Sequence, residues 1–137
     1  MPAARSAILP DHVLSAVLTL AQRQLVNTGA KERLAFRSHD FHLQEIFHEL
    51  QKKYSILNAF VFSDSGPEPY SPALSESVSR LQLSGLIGRE NPDYEVVFLR
   101  PAADQFYEKV LSSEFGADEI QQLTEVASQF LHRIDNI

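Results

Sequence analysis

The segment from Tyr70 to Arg100 constrains the fold of this chain more than any other part of the sequence. Ser71-Pro72 is a typical helix start, because serine caps a first turn and proline lacks an amide hydrogen that would be unpaired there. The amphipathic run that follows ends at Ser84-Gly85, just before Leu86-Ile87. After a polar turn, Arg89 to Asp93, the β-branched and aromatic stretch Tyr94 to Leu99 is typical of a strand. The segment therefore predicts a helix followed by a β-hairpin.

The spacing of apolar residues and the helix end signals predict the other elements. Further helices are expected at Pro10-Asp11 to about Val26, Asp40 to about Lys53 with Ser38 as N-cap, Ala102 to Leu111, and Asp118 to about Ile134. The first of these is apolar on so wide a face that it should be buried on more than one side. Leu34 to Arg37 is consistent with a short strand or an extended link, and Ile56 to Phe62 is predicted as a strand.

These elements predict a mainly α (α+β) fold in a single domain, residues 1–137. Helix, short strand, turn and returning strand is the outline of a winged helix. We therefore expect a winged-helix-like core with a small β-hairpin wing at residues 11–100, followed by a C-terminal extension of two helices at residues 102–137.

Length and composition exclude several classes of protein. The chain has 137 residues and no cysteine, so it can form a core without staples but has no disulfide, thiolate metal site or cysteine nucleophile. No apolar run approaches the ~20 residues needed to span a bilayer. Met1 to Leu9 is too short and too weakly basic for a secretory signal. We expect a cytoplasmic protein without membrane contact.

The charge is unevenly distributed along the chain. The formal net charge is −6, but residues 23–53 are net basic, residues 71–100 slightly acidic and residues 102–137 strongly acidic. Leu74, Val78 and Leu81 form the inward stripe of the third helix, and Ser77, Arg80 and neighbouring Glu76 are expected to face solvent. If this helix enters a major groove, these three are its candidate base-reading residues. The complete set of DNA-binding candidates is Ser77, Arg80, Arg89, Arg33, Arg37, Lys52 and Lys53. The acidic balance argues against strong non-specific DNA binding.

The histidines of the second helix are the only residues whose spacing suggests a metal site. Glu45 and His48 form a Glu-x-x-His pair, which carboxylate-bridged metal sites use in helical bundles. No second such pair occurs, and His42 and His48 point about 120° apart around a helix. The pattern favours a polar outer face, so no metal or cofactor is predicted. Neither a nucleophile turn nor a phosphate loop is present, and no catalytic residue is predicted.

The last helix carries an apolar stripe at alternating steps of three and four residues. Two arrangements are consistent with it: packing on the first helix, or pairing with a second copy of the chain across a two-fold axis. The candidate residues for a homodimer interface are Ile120, Leu123, Ala127, Phe130 and Ile134.

Four short motifs carry a resemblance to a known group: Phe60-Val61-Phe62, Gly66-Pro67, Pro69-Tyr70-Ser71-Pro72 and Ser84-Gly85-Leu86-Ile87. About half of the chain resembles a poorly characterised group of prokaryotic winged-helix-like proteins, in which a strand leads through Gly-Pro-Tyr-Ser into a helix. Here Glu68-Pro69 separates Gly-Pro from Tyr-Ser. The chain is more remotely similar to prophage antitoxin-associated domains. The resemblance implies regulation or partner binding and transfers no catalytic residue.

Two functions from different classes are consistent with this sequence. The first is a dimeric transcriptional regulator that binds duplex DNA with its third helix. The second is a protein–protein interaction adaptor or subunit that does not bind nucleic acid. A positive stripe across the third helix and the wing would count against the second. The negative charge of residues 71–100 favours the second function, and the fold favours the first.

Overall fold

The computed structural model describes residues 8–29, 33–37, 42–63, 66–90 and 96–134. The chain is mainly helical with a small antiparallel sheet, which confirms the predicted fold class. The elements in chain order are α1 Pro10–Asn27, β1 Ala35–Arg37, α2 His42–Gln51, a 3₁₀ turn Ser55–Ala59, α3 Pro72–Leu83, β2 Ile87–Glu90, β3 Val96–Leu99, α4 Pro101–Phe106 and α5 Ala117–Arg133. Helix α4 continues through a π-helical turn, Tyr107–Leu111, and a last short turn, Ser112–Glu114.

The three strands form one sheet in the order β1-β3-β2, and both pairings are antiparallel. Val97 pairs with Phe36 of β1, and Leu99 pairs with Ile87 of β2. All four side chains are buried, because residues directly opposite each other share a face of the sheet. Val96 and Phe98 alternate with Val97 and Leu99 and are only half-buried. One face of the sheet therefore belongs to the core.

Helix α1 lies at the centre of the fold and packs against both α5 and α3. Its buried side chains occupy most of its circumference, as the sequence predicted: Val13, Leu14, Ser15, Ala16, Val17, Leu18, Thr19 and Ala21. A helix that is apolar on so wide a face is stable only when other elements cover several of its sides.

Local signals account for the position of α3. The Ser71 hydroxyl accepts a hydrogen bond from the Leu74 amide at 3.3 Å, and Pro72 occupies the first turn. Gly85 follows the helix with a φ of 81°, a left-handed conformation that glycine adopts without steric cost. The chain then enters β2 at Ile87, so the helix and the start of the hairpin lie where the sequence predicted them.

Two local predictions are wrong. Ile56 to Phe62 is not a strand, since Ser55–Ala59 forms a 3₁₀ turn. Its backbone groups bond to side-chain amides and not to a neighbouring strand. Gln122 accepts a hydrogen bond from the Ile56 amide at 2.9 Å, and Gln51 donates one to the Leu57 carbonyl at 3.0 Å. Arg89 and Glu90 were expected in the turn of the hairpin but belong to β2.

The proposed helix cap at Ser38 and Asp40 and the rest of the wing turn, Asn91 to Asp93, lie outside the described residues. Within the part of the chain that the structure describes, no helix is both long and apolar enough to cross a bilayer.

Candidate functional site

A carboxylate at the start of α1 binds Ser77 and Arg80, two of the three residues of α3 that were predicted to read bases. Arg80 donates from Nε to Asp11 Oδ2 at 2.7 Å and from Nη2 to Asp11 Oδ1 at 2.9 Å. The Ser77 hydroxyl donates to Asp11 Oδ1 at 2.6 Å. We call Asp11, Ser77 and Arg80 the Asp11 cluster. Its paired arginine–carboxylate geometry is among the stronger forms of hydrogen bond, and it joins α1 to α3.

The prediction that Ser77 faces solvent is wrong, because its side chain is fully buried. A base edge cannot reach a hydroxyl that lies between two packed helices. Arg80 stays half-exposed, but its charge is paired with Asp11, and Glu76 lies 3.6 Å from its Nη1. The recognition surface predicted from the sequence is therefore largely used to hold α3 against α1.

The rest of the outward side of α3 is nearly free of positive charge. We call Glu76, Ser79, Gln82 and Leu83 the exposed face of α3, since all four side chains are exposed. Its only formal charge is the Glu76 carboxylate. Leu83 is 87% exposed at the end of the helix and is the most exposed large apolar residue of the described chain. This face combines polar groups with one apolar side chain.

The other basic candidates lie on separate elements. Lys52 and Lys53 follow α2, with Lys52 Nζ 3.4 Å from Glu49 and Lys53 Nζ 5.5 Å from the Tyr54 ring centroid. The Arg33 guanidinium lies 4.7 Å from the ring centroid of Phe98.

Arg89 and Arg37 are the strand residues of this candidate set. Arg89 donates to Gln82 of α3 at 3.0 Å, so the structure brings β2 beside the exposed face of α3. Arg37 ends β1 opposite Val96, and its side chain lies outside the described part of the structure.

The apolar stripe of α5 lies inside the chain. Leu123, Ala127 and Phe130 have no exposed surface, Ile134 is buried and Ile120 is half-buried. The stripe is part of the core, where α5 packs mainly on α1. Of the two arrangements the sequence allowed, the structure has packing within the chain. The four buried side chains are therefore not available as a dimer surface, and Ile120 keeps part of its surface exposed.

The histidines of α2 face different neighbours. His42 Nε2 lies 3.1 Å from the Arg133 carbonyl oxygen, and the His48 ring meets Phe62 edge to face at 5.1 Å. Among the described residues, no three or more histidine, aspartate or glutamate side chains are grouped so that they could hold a metal ion.

Sequence reasoning missed Asp11 and Gln44 as structural centres. Asp11 was identified only as a helix start, and its partner Arg80 is 69 positions away. Gln44 is buried in α2 and hydrogen bonds to the Ser71 backbone through both atoms of its amide group. The sequence could have revealed the burial of Ser77, because Ser77 lies three residues after Leu74 and four before Leu81, on the inward side of α3.

Asp11→Asn should remove a pH-dependent part of the stability. Burial raises the pKa of Asp11, but hydrogen bonds from Arg80 and Ser77 outweigh it and hold the pKa below its ordinary 3.8. Folding therefore favours the ionised carboxylate, and this stabilisation is present above pH 3.8 and is lost as the pH falls through the lower folded-state pKa. At neutral pH we expect a loss of about 1 kcal/mol in the free energy of unfolding, a modest value because Arg80 is half-exposed.

Urea denaturation at neutral pH and at about pH 3 measures this difference. Asp118→Asn is the matched control, because Asp118 occupies the equivalent place in the first turn of α5 and forms no ion pair with any described residue. The control should lose only the small interaction with the helix dipole. Equal losses in both variants at neutral pH would show that the Asp11 cluster adds no stability.

No protein-family model matches this chain, and neither a curated protein nor a solved structure matches it at a significant level.

Proposed function

We propose that this chain is a winged-helix-like regulatory protein that acts through a protein partner bound to the exposed face of α3. The winged-helix part of the proposal is supported by the order of elements, helix-strand-helix-helix-strand-strand, and by the strand order β1-β3-β2. In a winged helix the same order places the first strand beside the third and leaves a hairpin after the recognition helix. Helices α4 and α5 then form the C-terminal extension. We also propose a cytoplasmic location, as expected from the sequence.

The Asp11 cluster is the observation that carries the choice of a protein partner. A helix that enters a DNA groove needs cations for the phosphates and free donors or acceptors for base edges. In α3 the only basic side chain, Arg80, is paired with Asp11, and Ser77 is buried. The exposed face of α3 adds the negative charge of Glu76, which phosphates would repel. A protein partner carries no phosphate backbone, so Glu76 does not repel it in this way.

Leu83 supplies the apolar contact that a protein partner requires. Interfaces gain most of their affinity from a few apolar or aromatic side chains that become fully buried, surrounded by polar residues. Leu83 lies beside Gln82 and Ser79 and is almost fully exposed in the isolated chain. The homodimer expected from the sequence stays a prediction, and its contact surface would have to lie outside the stripe of α5.

Leu83→Asp should weaken partner binding by about thirtyfold, the loss typical of an interface residue that contributes most of the contact. Partners are identified by affinity purification of the tagged chain from its native cells, and their affinity is then measured with purified components. Val61→Asp is the matched control, because Val61 is 74% exposed but lies outside α3. Equal affinity of both variants would contradict a contact at the exposed face of α3.

Duplex DNA should not bind measurably at about 50 mM salt, because α3 offers no unpaired cation to the phosphates. Fluorescence anisotropy at about 50 and 200 mM salt tests this, with light scattering of the same sample for mass. Asp11→Asn releases Arg80 and serves as a sensitised variant. Tight binding by the unmodified chain that falls steeply with salt would overturn the protein-partner proposal.

A DNA-binding regulator is the second candidate, and the exposed Lys52 and Lys53 at the end of α2 favour it. Phosphate contacts from both residues would appear in the same salt titration. Replacing both with alanine would then reduce the slope of log K against log salt by about two. Lys109→Ala is the control, because Lys109 is exposed on the π-helical turn after α4.

A further inference from the structure

A cleft of about 320 Å³ lies between the first turn of α1, the end of α3 and helix α4. Its size is at the lower end of the range for sites that hold small molecules. The residues that line it come from three separate stretches of the chain: Asp11, His12, Leu81, Ser84, Leu86 and Phe106. None of the sites discussed above includes this cleft, although it shares Asp11 with the Asp11 cluster.

The walls of the cleft are apolar. Leu81 is buried, Leu86 and Phe106 are half-buried and pack against the core. The His12 ring meets the Phe106 ring edge to face at 5.6 Å. Glu114 fixes the His12 ring from outside the cleft through a contact of 2.6 Å to Nδ1. An aromatic or compact apolar group would exclude water from these walls and gain their contact area.

Two residues at the rim, Asp11 and Ser84, present hydrogen-bond acceptors. Burial raises the pKa of Asp11, but Arg80 and Ser77 together lower it below its ordinary value, so Asp11 is ionised at neutral pH. The Ser84 hydroxyl donates its hydrogen to the Arg80 carbonyl at 2.8 Å, which leaves its oxygen as an acceptor. A carboxylate and an acceptor oxygen beside an apolar wall are complementary to a cationic donor.

We propose that this cleft binds a small ligand that combines an aromatic or apolar ring with a protonated amine. The ring lies against Phe106, Leu81 and Leu86, and the ammonium group donates to Asp11 and Ser84. Charge favours the amine, since Asp11 is the only acidic residue among those that line the cleft. The inference goes beyond the proposed function and does not depend on it.

Ligand binding would change the Asp11 cluster. The Asp11 oxygens already accept from Arg80 and Ser77, so an ammonium group at the same carboxylate competes with the Arg80 guanidinium. A ligand in the cleft therefore weakens the hold of α1 on Arg80, which sits at the edge of the exposed face of α3.

NMR titration of the full chain with benzylamine tests the proposal. Benzyl alcohol serves as a probe of the same shape without charge, and methylamine as a probe with the charge but without the ring. We expect saturable shifts of the Ser84, Leu86 and Phe106 amides with benzylamine, at the millimolar affinity that so small a molecule can reach. Affinity should fall about tenfold for each of the other two probes. Equal affinity for benzylamine and benzyl alcohol, or no saturable shift at these amides, would overturn the proposal.

Two variants locate the site. Asp11→Asn should abolish the preference for benzylamine over benzyl alcohol, and Asp118→Asn should leave it unchanged. Because Asp11→Asn also loosens the Asp11 cluster, Ser84→Lys provides a second test at an exposed position. Its ammonium group would occupy the carboxylate and should lower benzylamine affinity about tenfold. Unchanged affinity in both Asp11→Asn and Ser84→Lys would place the probe elsewhere and overturn the assignment.

Discussion

Phe130→Ala should lower the free energy of unfolding by about 3–5 kcal/mol. The Phe130 side chain has no exposed surface and meets two rings edge to face: Phe36 of β1 at 5.4 Å and Phe47 of α2 at 6.2 Å. Alanine would remove both ring contacts and leave a cavity where β1, α2 and α5 meet. Chemical denaturation at several protein concentrations measures the loss.

The same experiment distinguishes a core residue from a dimer contact. A core residue should give the same loss at every protein concentration. Leu131→Ala is the control, because Leu131 is the next residue of α5 and is only half-buried; it should cost clearly less. A Phe130→Ala chain that keeps its stability but changes from dimer to monomer in light scattering would contradict the structural role and restore the interface predicted from the sequence.

Gln44→Leu should cost about 2–4 kcal/mol of the free energy of unfolding, although leucine has a similar volume and is more apolar. Gln44 is buried. Its side chain accepts a hydrogen bond from the Ser71 amide at 2.7 Å and donates one to the Ser71 carbonyl at 3.1 Å. Ser71 is itself buried, so the Ser71 amide would lose its partner away from water. The carbonyl keeps a contact of 3.3 Å with the Ser75 amide, which limits the loss.

Thermal and urea denaturation of Gln44→Leu and Gln121→Leu together isolate this effect. Gln121 is an exposed glutamine of α5, where the same substitution should change stability by less than about 0.5 kcal/mol. A Gln44→Leu chain as stable as Gln121→Leu would show that the Ser71 backbone finds other partners and that Gln44 does not fix α2 against the start of α3.

The parts of the fold that depend on neighbours in sequence were predictable. Ser71 and Pro72 start α3, Gly85 ends it, and the alternation of Val97 and Leu99 with half-buried residues follows the period of a strand. The 3₁₀ turn at Ser55–Ala59 was not, because the β-branched and aromatic residues of Ile56 to Phe62 favour a strand. Its backbone is instead satisfied by the side chains of two glutamines, the nearby Gln51 and Gln122 of α5, which is 66 residues from Ile56.

The sequence predicts where the side chains of the candidate site lie along α3, but not that Arg80 is paired or that Ser77 is buried. The sequence places Arg80 on the outward side of α3, and it is half-exposed. Its pairing with Asp11 joins residues far apart in the chain, so no local pattern reveals it. Ser77 was misjudged because its polar side chain suggested solvent, while its spacing from Leu74 and Leu81 places it on the buried side. The buried hydroxyl of Ser77 is satisfied there because Asp11 accepts its hydrogen.

The single carboxylate of Asp11 takes part in two surfaces at once, the cleft and the edge of the exposed face of α3. Two ligands that bind these two surfaces and both involve the Asp11 charge must therefore affect each other's affinity, by thermodynamic linkage. A cation in the cleft that changes the affinity of α3 for its partner by some factor has its own affinity changed by that same factor when the partner binds. Measuring either effect gives the size of the other.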